Sequence, residues 1–136
     1  MPASFRCSIV TPSQSVLNTD ASYVSYEAWD GQRGVLDGSS ASLTQLAVGT
    51  VRVDLAAGGT KTYVIDSGFA QMRGNALTIL TDVAVDSAEI NAAAAEREYA
   101  DARARVVEPG NVAPEARARL ERAQRLAATK VRVARG

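Results

Sequence analysis

The first 85 residues contain short runs in which apolar and polar side chains alternate. In the first run, Phe5, Cys7 and Ile9 are separated by Arg6 and Ser8. Alternation places successive side chains on opposite faces of a strand, so it predicts strands with one buried and one solvated face. The same pattern recurs at residues 24–28 and 51–55, and shorter apolar runs occupy residues 63–65 and 77–80.

Turn-forming residues separate these runs. Gly58-Gly59 and Gly74-Asn75 each lie between two predicted strands and indicate hairpins, and Asp30-Gly31 marks a further turn. About ten short strands with this spacing are typical of an antiparallel sandwich or barrel. A parallel sheet would need crossover helices, for which this part of the chain has no room.

From Asp86 onward, alanine, arginine and glutamate dominate, and the apolar period becomes that of a helix. Asp86 followed three residues later by Glu89 resembles a capping box and predicts that the first helix starts there. Pro109-Gly110-Asn111 would end this helix, and Pro114 is compatible with the first turn of a second one. The apolar stripe of the first helix comprises Ala88, Ala92, Ala95, Tyr99, Ala102 and Val106.

The two predicted helices form an antiparallel hairpin with a seam that is mostly alanine. Its second stripe comprises Ala116, Leu120, Ala123 and Ala127, with Leu126 beside it. Alanine buries little area, and at about 25 cal/mol per Å2 such a seam stabilises weakly. Residues 86–110 carry a net charge of −3 and residues 111–136 a net charge of +5. The helices therefore attract each other, or the last helix attracts an acidic partner surface.

Together these patterns predict an α+β protein with two domains. An N-terminal antiparallel β-sandwich would occupy residues 1–85, and a C-terminal antiparallel two-helix hairpin would occupy residues 86–136. Because the hairpin should be only marginally stable by itself, we expect it to dock on a partner surface and to move. No apolar run approaches the roughly 20 residues of a membrane-spanning helix.

The composition argues against an enzyme. The chain has no histidine, and Cys7 is its only cysteine, which removes histidine-based catalytic triads and cysteine-based zinc sites. Fifteen basic and fifteen acidic residues cancel, so no global field attracts nucleic acid. We therefore expect no catalytic residue, no cofactor and no metal site, and we expect Cys7 to be a small core residue.

Two local features have alternative explanations. Residues 58–62 resemble the end of a phosphate-binding loop, but Thr60 separates Gly59 from Lys61 and a strand follows, which favours a hairpin turn. Trp29 lies beside Asp30 and is either an exposed contact residue or a core anchor of the sandwich.

Several motifs, taken in order, resemble the epsilon subunit of bacterial F-type ATP synthases, called delta in mitochondria. The family's Gly-x-x-Gly-[Ile/Val]-Leu segment corresponds to residues 31–36, and its Leu-x-x-Gly-x-Val-x-Val pattern corresponds to residues 46–53. The remaining matches are Ile9-Val10-Thr11-Pro12, Ser15-Val16-Leu17, Gly68-Phe69 and Leu77-Thr78-Ile79-Leu80-Thr81-Asp82. The resemblance extends over residues 5–133, including the two-helix tail.

The chain departs from the family pattern at two places. Residues 37–41 are Asp-Gly-Ser-Ser-Ala, where the family usually has Pro-Gly-His-Ala-Pro. Residues 90–95 match an ATP-binding motif of some bacterial relatives, but its Asp is replaced by Asn91 and its Arg by Ala94. These changes remove two charged hydrogen-bonding groups, so we expect no nucleotide binding.

The resemblance implies a non-catalytic rotor subunit that links the gamma subunit to the c-ring and restrains ATP hydrolysis through its helices. It also implies a peripheral location on the cytoplasmic face of the bacterial plasma membrane, held through the complex. The turn matched to the c-ring contact comprises Asp30, Gly31, Gln32 and Arg33. The segment matched to the gamma contact comprises Ser39, Ser40, Ala41, Ser42 and Leu43. The residues suited to transient docking on the catalytic alpha and beta subunits are Arg117, Arg119, Arg122, Arg125, Lys130 and Arg132.

An alternative function is a free-standing β-sandwich adaptor module whose helical tail forms oligomers. Co-purification with a gamma subunit separates the two hypotheses, because only a rotor subunit should require that partner.

Overall fold

The computed structural model describes residues 3–105 and 114–135 of the chain. Within these ranges the strands are β1 (Phe5–Val10), β2 (Ser15–Ala28), β3 (Gly31–Leu36), β4 (Ser42–Leu55), β5 (Thr60–Ile65), β6 (Gly68–Arg73), β7 (Ala76–Leu80) and β8 (Ala84–Asp86). A 3-10 turn (Ser87–Glu89) and two helices follow, α1 (Ala92–Ala104) and α2 (Pro114–Arg135). Val106 and the predicted helix stop at Pro109-Gly110-Asn111 lie outside the described residues.

The strands form two layers that share β2 and β4. One layer contains β3, β2, β4, β5 and β8, and the other contains β2, β1, β7, β6 and β4. Both shared strands are 14 residues long, and their mutual pairing shifts register between Ala21 and Tyr23 and between Tyr26 and Ala28. Such irregularities bend a strand, which lets it pass from one layer to the other. The predicted sandwich is confirmed, with eight strands in the described ranges instead of about ten.

One pair of strands in the described sheet is parallel. β1 and β7 run in the same direction, with Arg6 opposite Ala76 and Val10 opposite Leu80. The expected antiparallel arrangement holds for the other pairings of the described strands. The five strands between β1 and β7 supply the long connection for which a helix is more usual.

The alternating side chains fill the space between the layers, as predicted. Phe5, Cys7 and Ile9 are at most 1% exposed, and Val51 and Val53 of β4 are fully buried. Burial raises the pKa of the Cys7 thiol to about 12, so the reactive thiolate does not form near neutral pH. Cys7 is therefore a core residue.

The prediction that the first helix starts at Asp86 was wrong. Asp86 ends β8, and its carboxylate accepts a hydrogen bond from the N–H of Ala88 at 3.0 Å, which caps the 3-10 turn. The N-cap of α1 is Asn91, whose side-chain oxygen accepts from the N–H of Ala94 at 2.9 Å. Ala88 is exposed in the 3-10 turn, so it does not belong to the helical stripe.

The two helices run antiparallel and bury small side chains. The Gln124 side chain donates to the carbonyl of Ala102 at 3.0 Å, and Lys130 pairs with Glu98 at 3.2 Å. Residues later in α2 therefore contact residues earlier in α1, as expected for an antiparallel pair. In the described parts of the hairpin, the buried side chains are those of Ala95, Ala102, Ala127 and Thr129.

The second helix also packs on the sandwich, against β4 and β5. Glu27 of β2 lies at this junction. Its carboxylate accepts from the N–H of Thr50 at 3.1 Å and lies 3.9 Å from the guanidinium of Arg132. A Cβ on Gly49 would overlap this carboxylate, so Glu27 occupies the position because residue 49 has no side chain.

We predict that Gly49→Ala loosens α2 from the sandwich. The added methyl group displaces Glu27 from both Thr50 and Arg132, and the overlap lowers the free energy of unfolding by about 1–3 kcal/mol. Limited digestion with trypsin, which cuts after Arg and Lys, should cleave α2 roughly tenfold faster, because each lost interaction contributes about 1 kcal/mol.

The matched control introduces the same methyl group into a Glu27→Ala background, where it meets no carboxylate. In that background Gly49→Ala should change the free energy of unfolding by less than about 0.5 kcal/mol. Identical trypsin cleavage of α2 in the wild type and in Gly49→Ala would contradict the account of this junction.

Candidate protein interfaces

The turn between β2 and β3 carries the residues matched to the c-ring contact. Asp30, Gly31, Gln32 and Arg33 are all exposed, and Asp30 and Arg33 form an ion pair at 2.9 Å. Gly31 has a φ of 134°, in the region that favours glycine. The turn is therefore a polar protrusion with a defined shape.

Trp29 precedes this turn and is 69% exposed. Its backbone N–H donates to the carbonyl of Gln45 at 3.1 Å, which fixes the main chain while the indole ring faces solvent. The structure therefore shows that Trp29 is an exposed residue and not a core anchor of the sandwich. Trp residues in such positions are common anchors of protein interfaces.

The segment matched to the gamma contact joins β3 to β4. Ser39 closes a turn, since its backbone N–H donates to the carbonyl of Leu36 at 3.1 Å and its hydroxyl accepts from the N–H of Leu36 at 3.0 Å. Ser40, Ala41 and Ser42 are exposed, and Leu43 is 70% exposed. The hydroxyl of Ser39 thus stabilises the turn, and Leu43 is the large apolar side chain that this segment exposes.

Sequence reasoning missed an apolar row on the outer face of the second layer. Phe69 of β6 lies directly opposite Gln45 of β4 and Leu80 of β7, and Leu80 lies opposite Val10 of β1. Phe69 is 48% exposed and Leu80 is 45% exposed. The row borders a cavity of about 490 Å3. The available signal was one apolar residue among the outward positions of β6 and of β7, but the alternation does not show which strands are neighbours.

The basic residues of α2 fall into two groups. Lys130 pairs with Glu98 of α1 at 3.2 Å, and Arg132 approaches Glu27 of the sandwich at 3.9 Å. Within residues 3–105 and 114–135, the remaining predicted docking residues are exposed and form no ion pair, namely Arg117, Arg119, Arg122 and Arg125. The predicted docking surface is thus partly engaged within the chain.

The described residues contain no cluster of metal ligands, and the glycine pair at Gly58-Gly59 forms a turn. No group of three His, Cys, Asp or Glu side chains in these ranges could hold a metal ion. Gly58 and Gly59, with φ of 105° and 88°, form the hairpin turn between β4 and β5, and a strand follows where a phosphate loop would need a helix. Neither α1 nor α2, as described, has the length and apolar character needed to cross a membrane.

Comparison with protein families gives a match to the family described as "ATP synthase, Delta/Epsilon chain, beta-sandwich domain" over residues 4–87. A sodium-ion-specific ATP synthase epsilon chain from Propionigenium modestum is 33% identical over 71% of this chain and 69% of its own length. The epsilon chain of Pelotomaculum thermopropionicum is 34% identical over 67% of each chain. That of Rhodopirellula baltica is 33% identical over 60% of this chain and 63% of its own length.

Solved structures share the fold. A chain in the mitochondrial ATP synthase of Euglena gracilis (OSCP/F1/c-ring) is 24% identical, with a TM-score of 0.77 over 95% of this chain and 80% of its own. A chain in the central stalk and c-ring of the Tetrahymena thermophila enzyme is 18% identical, with a TM-score of 0.58 over 93% of this chain and 95% of its own. The family match covers more than half of the chain, and the relatives are epsilon chains. The chain therefore belongs to the ATP synthase delta/epsilon chain family, whose members are non-catalytic subunits of that enzyme.

Proposed function

We propose that this chain is a rotor subunit that links the gamma subunit to the c-ring of an ATP synthase. The observation that carries the proposal is the outer face of the second layer, where Leu43, Phe69 and Leu80 are exposed. The sandwich beneath this face has a filled core, in which the thiol of Cys7 is buried. Such a face suits contact with another protein better than binding of a small substrate.

The sandwich would transmit torque, which requires stiffness more than chemistry. A two-layer core with close-packed side chains resists deformation. In this proposal, the turn from Asp30 to Arg33 rests on the c-ring, and the segment from Ser39 to Leu43 contacts the gamma subunit. The chain would lie on the cytoplasmic face of the bacterial plasma membrane, held there through the complex.

The hairpin would act as the moving part, with the chain divided into residues 1–85 and 86–136. The ion pairs Lys130–Glu98 and Arg132–Glu27 are surface pairs, so each contributes about 0–1 kcal/mol and weakens with salt. An acidic surface on the catalytic alpha and beta subunits would compete for the same cations. Release of α2 from Glu27 would then let the hairpin reach those subunits and restrain hydrolysis.

We predict that Leu43→Glu weakens co-purification with the gamma subunit of the same organism by at least about tenfold. Placing a charge at the centre of an apolar contact leaves that charge desolvated and unpaired. Retention of gamma on the immobilised full-length chain measures the effect. Ala93→Glu is the control, since it adds the same charge on an exposed part of α1. A wild-type chain that retains no gamma would instead support the free-standing adaptor.

We predict that deletion of residues 91–136 leaves the complex assembled and raises its ATP hydrolysis. This boundary keeps β8 and the turn Ser87–Glu89 intact. The increase should be roughly fivefold or more, which corresponds to a coupling of at least about 1 kcal/mol. Steady-state hydrolysis by the purified complex is the measurement, with Arg117→Gln/Arg119→Gln as a partial variant. Unchanged hydrolysis in the deletion would remove the regulatory role.

A further inference from the structure

The turn between β5 and β6 carries a carboxylate with an unsatisfied oxygen. Asp66 directly follows Ile65, the last residue of β5. Its Oδ1 atom is buried and has no hydrogen-bond partner among the described residues. Leaving a buried oxygen of a carboxylate unpaired is costly, so this position needs an explanation beyond packing.

The main chain holds Asp66 in this position. Its N–H donates to the carbonyl of Val83 at 3.3 Å, and the Ser67 hydroxyl donates to the carbonyl of Asp66 at 2.7 Å. At Gly68 a Cβ would overlap the carbonyl of Leu80, so the turn packs closely against β7. The turn that carries the carboxylate is therefore fixed to β7 and to the segment that follows it.

Asp66 lies close to the path of α2 over the sandwich. The strands on either side of it, β5 and β6, both pair with β4, at Gly49 and at Leu46 respectively. The turn at Asp66 therefore lies beside residues 47–48 of β4. The same two residues border a cavity together with Arg125 of α2, and α2 also packs against β5.

Arg122 is the cation of α2 that acts on Asp66. It precedes Arg125 by three residues and therefore lies on the same face of the helix. Burial raises the pKa of Asp66, the positive charge of Arg122 opposes that rise, and the negative charge of Asp82 adds to it. Among the described residues that line the cavity next to this turn, Asp66 and Asp82 are the titratable ones. The attraction to Arg122 therefore exists only while α2 is docked and Asp66 is ionised.

We propose that Asp66 and Arg122 form a latch operated by a proton, in which ionised Asp66 holds α2 on the sandwich and protonation of Asp66 loosens it. Docking brings the charge of Arg122 towards Asp66 and favours the ionised form. By linkage, docking weakens as the pH falls and Asp66 takes up a proton. This inference concerns the chain by itself and does not require the proposed function. If that function holds, acidification also deepens the restraint of hydrolysis.

Carbon-13 NMR of the Asp66 carboxyl group in the full-length chain measures the attraction directly. Arg122→Gln should raise the pKa of Asp66 further, because the charge that favours ionisation is lost. Arg117→Gln removes the same charge from another exposed position of α2 and is the matched control, which should leave the pKa of Asp66 unchanged. An equal pKa of Asp66 in Arg122→Gln and in the wild type would overturn the inference.

Hydrogen exchange of the α2 amides, corrected for the intrinsic effect of pH on exchange, measures the release of the helix. In the wild type the equilibrium constant for opening should increase roughly threefold between about pH 7.5 and about pH 5, as expected for the loss of one screened charge pair. In Asp66→Asn this constant should already be raised at neutral pH and should change less with pH. Glu27→Gln, which removes the pair with Arg132, should weaken docking and keep the pH response. The same response in Asp66→Asn and in the wild type would contradict the latch.

The stability of the sandwich and the docking of α2 should respond in opposite directions. Because burial raises the pKa of Asp66, ionisation of this carboxyl group destabilises the folded sandwich at neutral pH, and this effect decreases as the pH falls. Asp66→Asn should therefore melt at the same or a higher temperature than the wild type at about pH 7, while its α2 opens more easily. A lower melting temperature of Asp66→Asn would contradict the inference, because Asp66 would then stabilise the sandwich itself.

Discussion

The two layers of the β-sandwich are held together by β2 and β4, because each of these strands belongs to both layers. Each layer contains a half of both strands, so the two sheets cannot slide or separate without breaking the hydrogen bonds of a shared strand. The buried faces of Val24, Val51 and Val53 hold these strands to the core. The turn at Asp30, the segment before Leu43 and the turn at Asp66 each adjoin one of these strands or a direct neighbour, and all three therefore have fixed relative positions.

The hairpin is attached by much weaker interactions. Its described buried side chains are alanines and one threonine, which remove little apolar area from water. Its ion pair with the sandwich, between Arg132 and Glu27, is exposed to solvent and salt. One chain thus joins a close-packed β-sandwich to a hairpin that is held by fewer and weaker interactions. This difference in stability follows from composition, since Val, Ile and Leu dominate the first part and alanine the second.

Alternation and turn residues were sufficient to predict the strands, the sandwich and the buried position of Cys7. They did not show that β2 and β4 serve both layers, because that depends on pairing between residues far apart in the chain. The helix start was misplaced because Asp86 pairs with Tyr63 in the sheet, so an extended conformation prevails there and Asn91 becomes the cap. The apolar row and the cavity beside it were missed because the cavity's walls come from β1, β4, β6 and β7 and from the turns after β1, β5 and β7.

Native-state hydrogen exchange of the isolated full-length chain tests most directly whether a closed β body carries a detachable hairpin. The account predicts that amides in the centres of β2 and β4 exchange only through global unfolding. Amides of α1 and α2 should exchange through a separate opening of lower free energy, and added salt should speed that exchange. Equal opening free energies for α2 and β4, with no response to salt, would contradict the account.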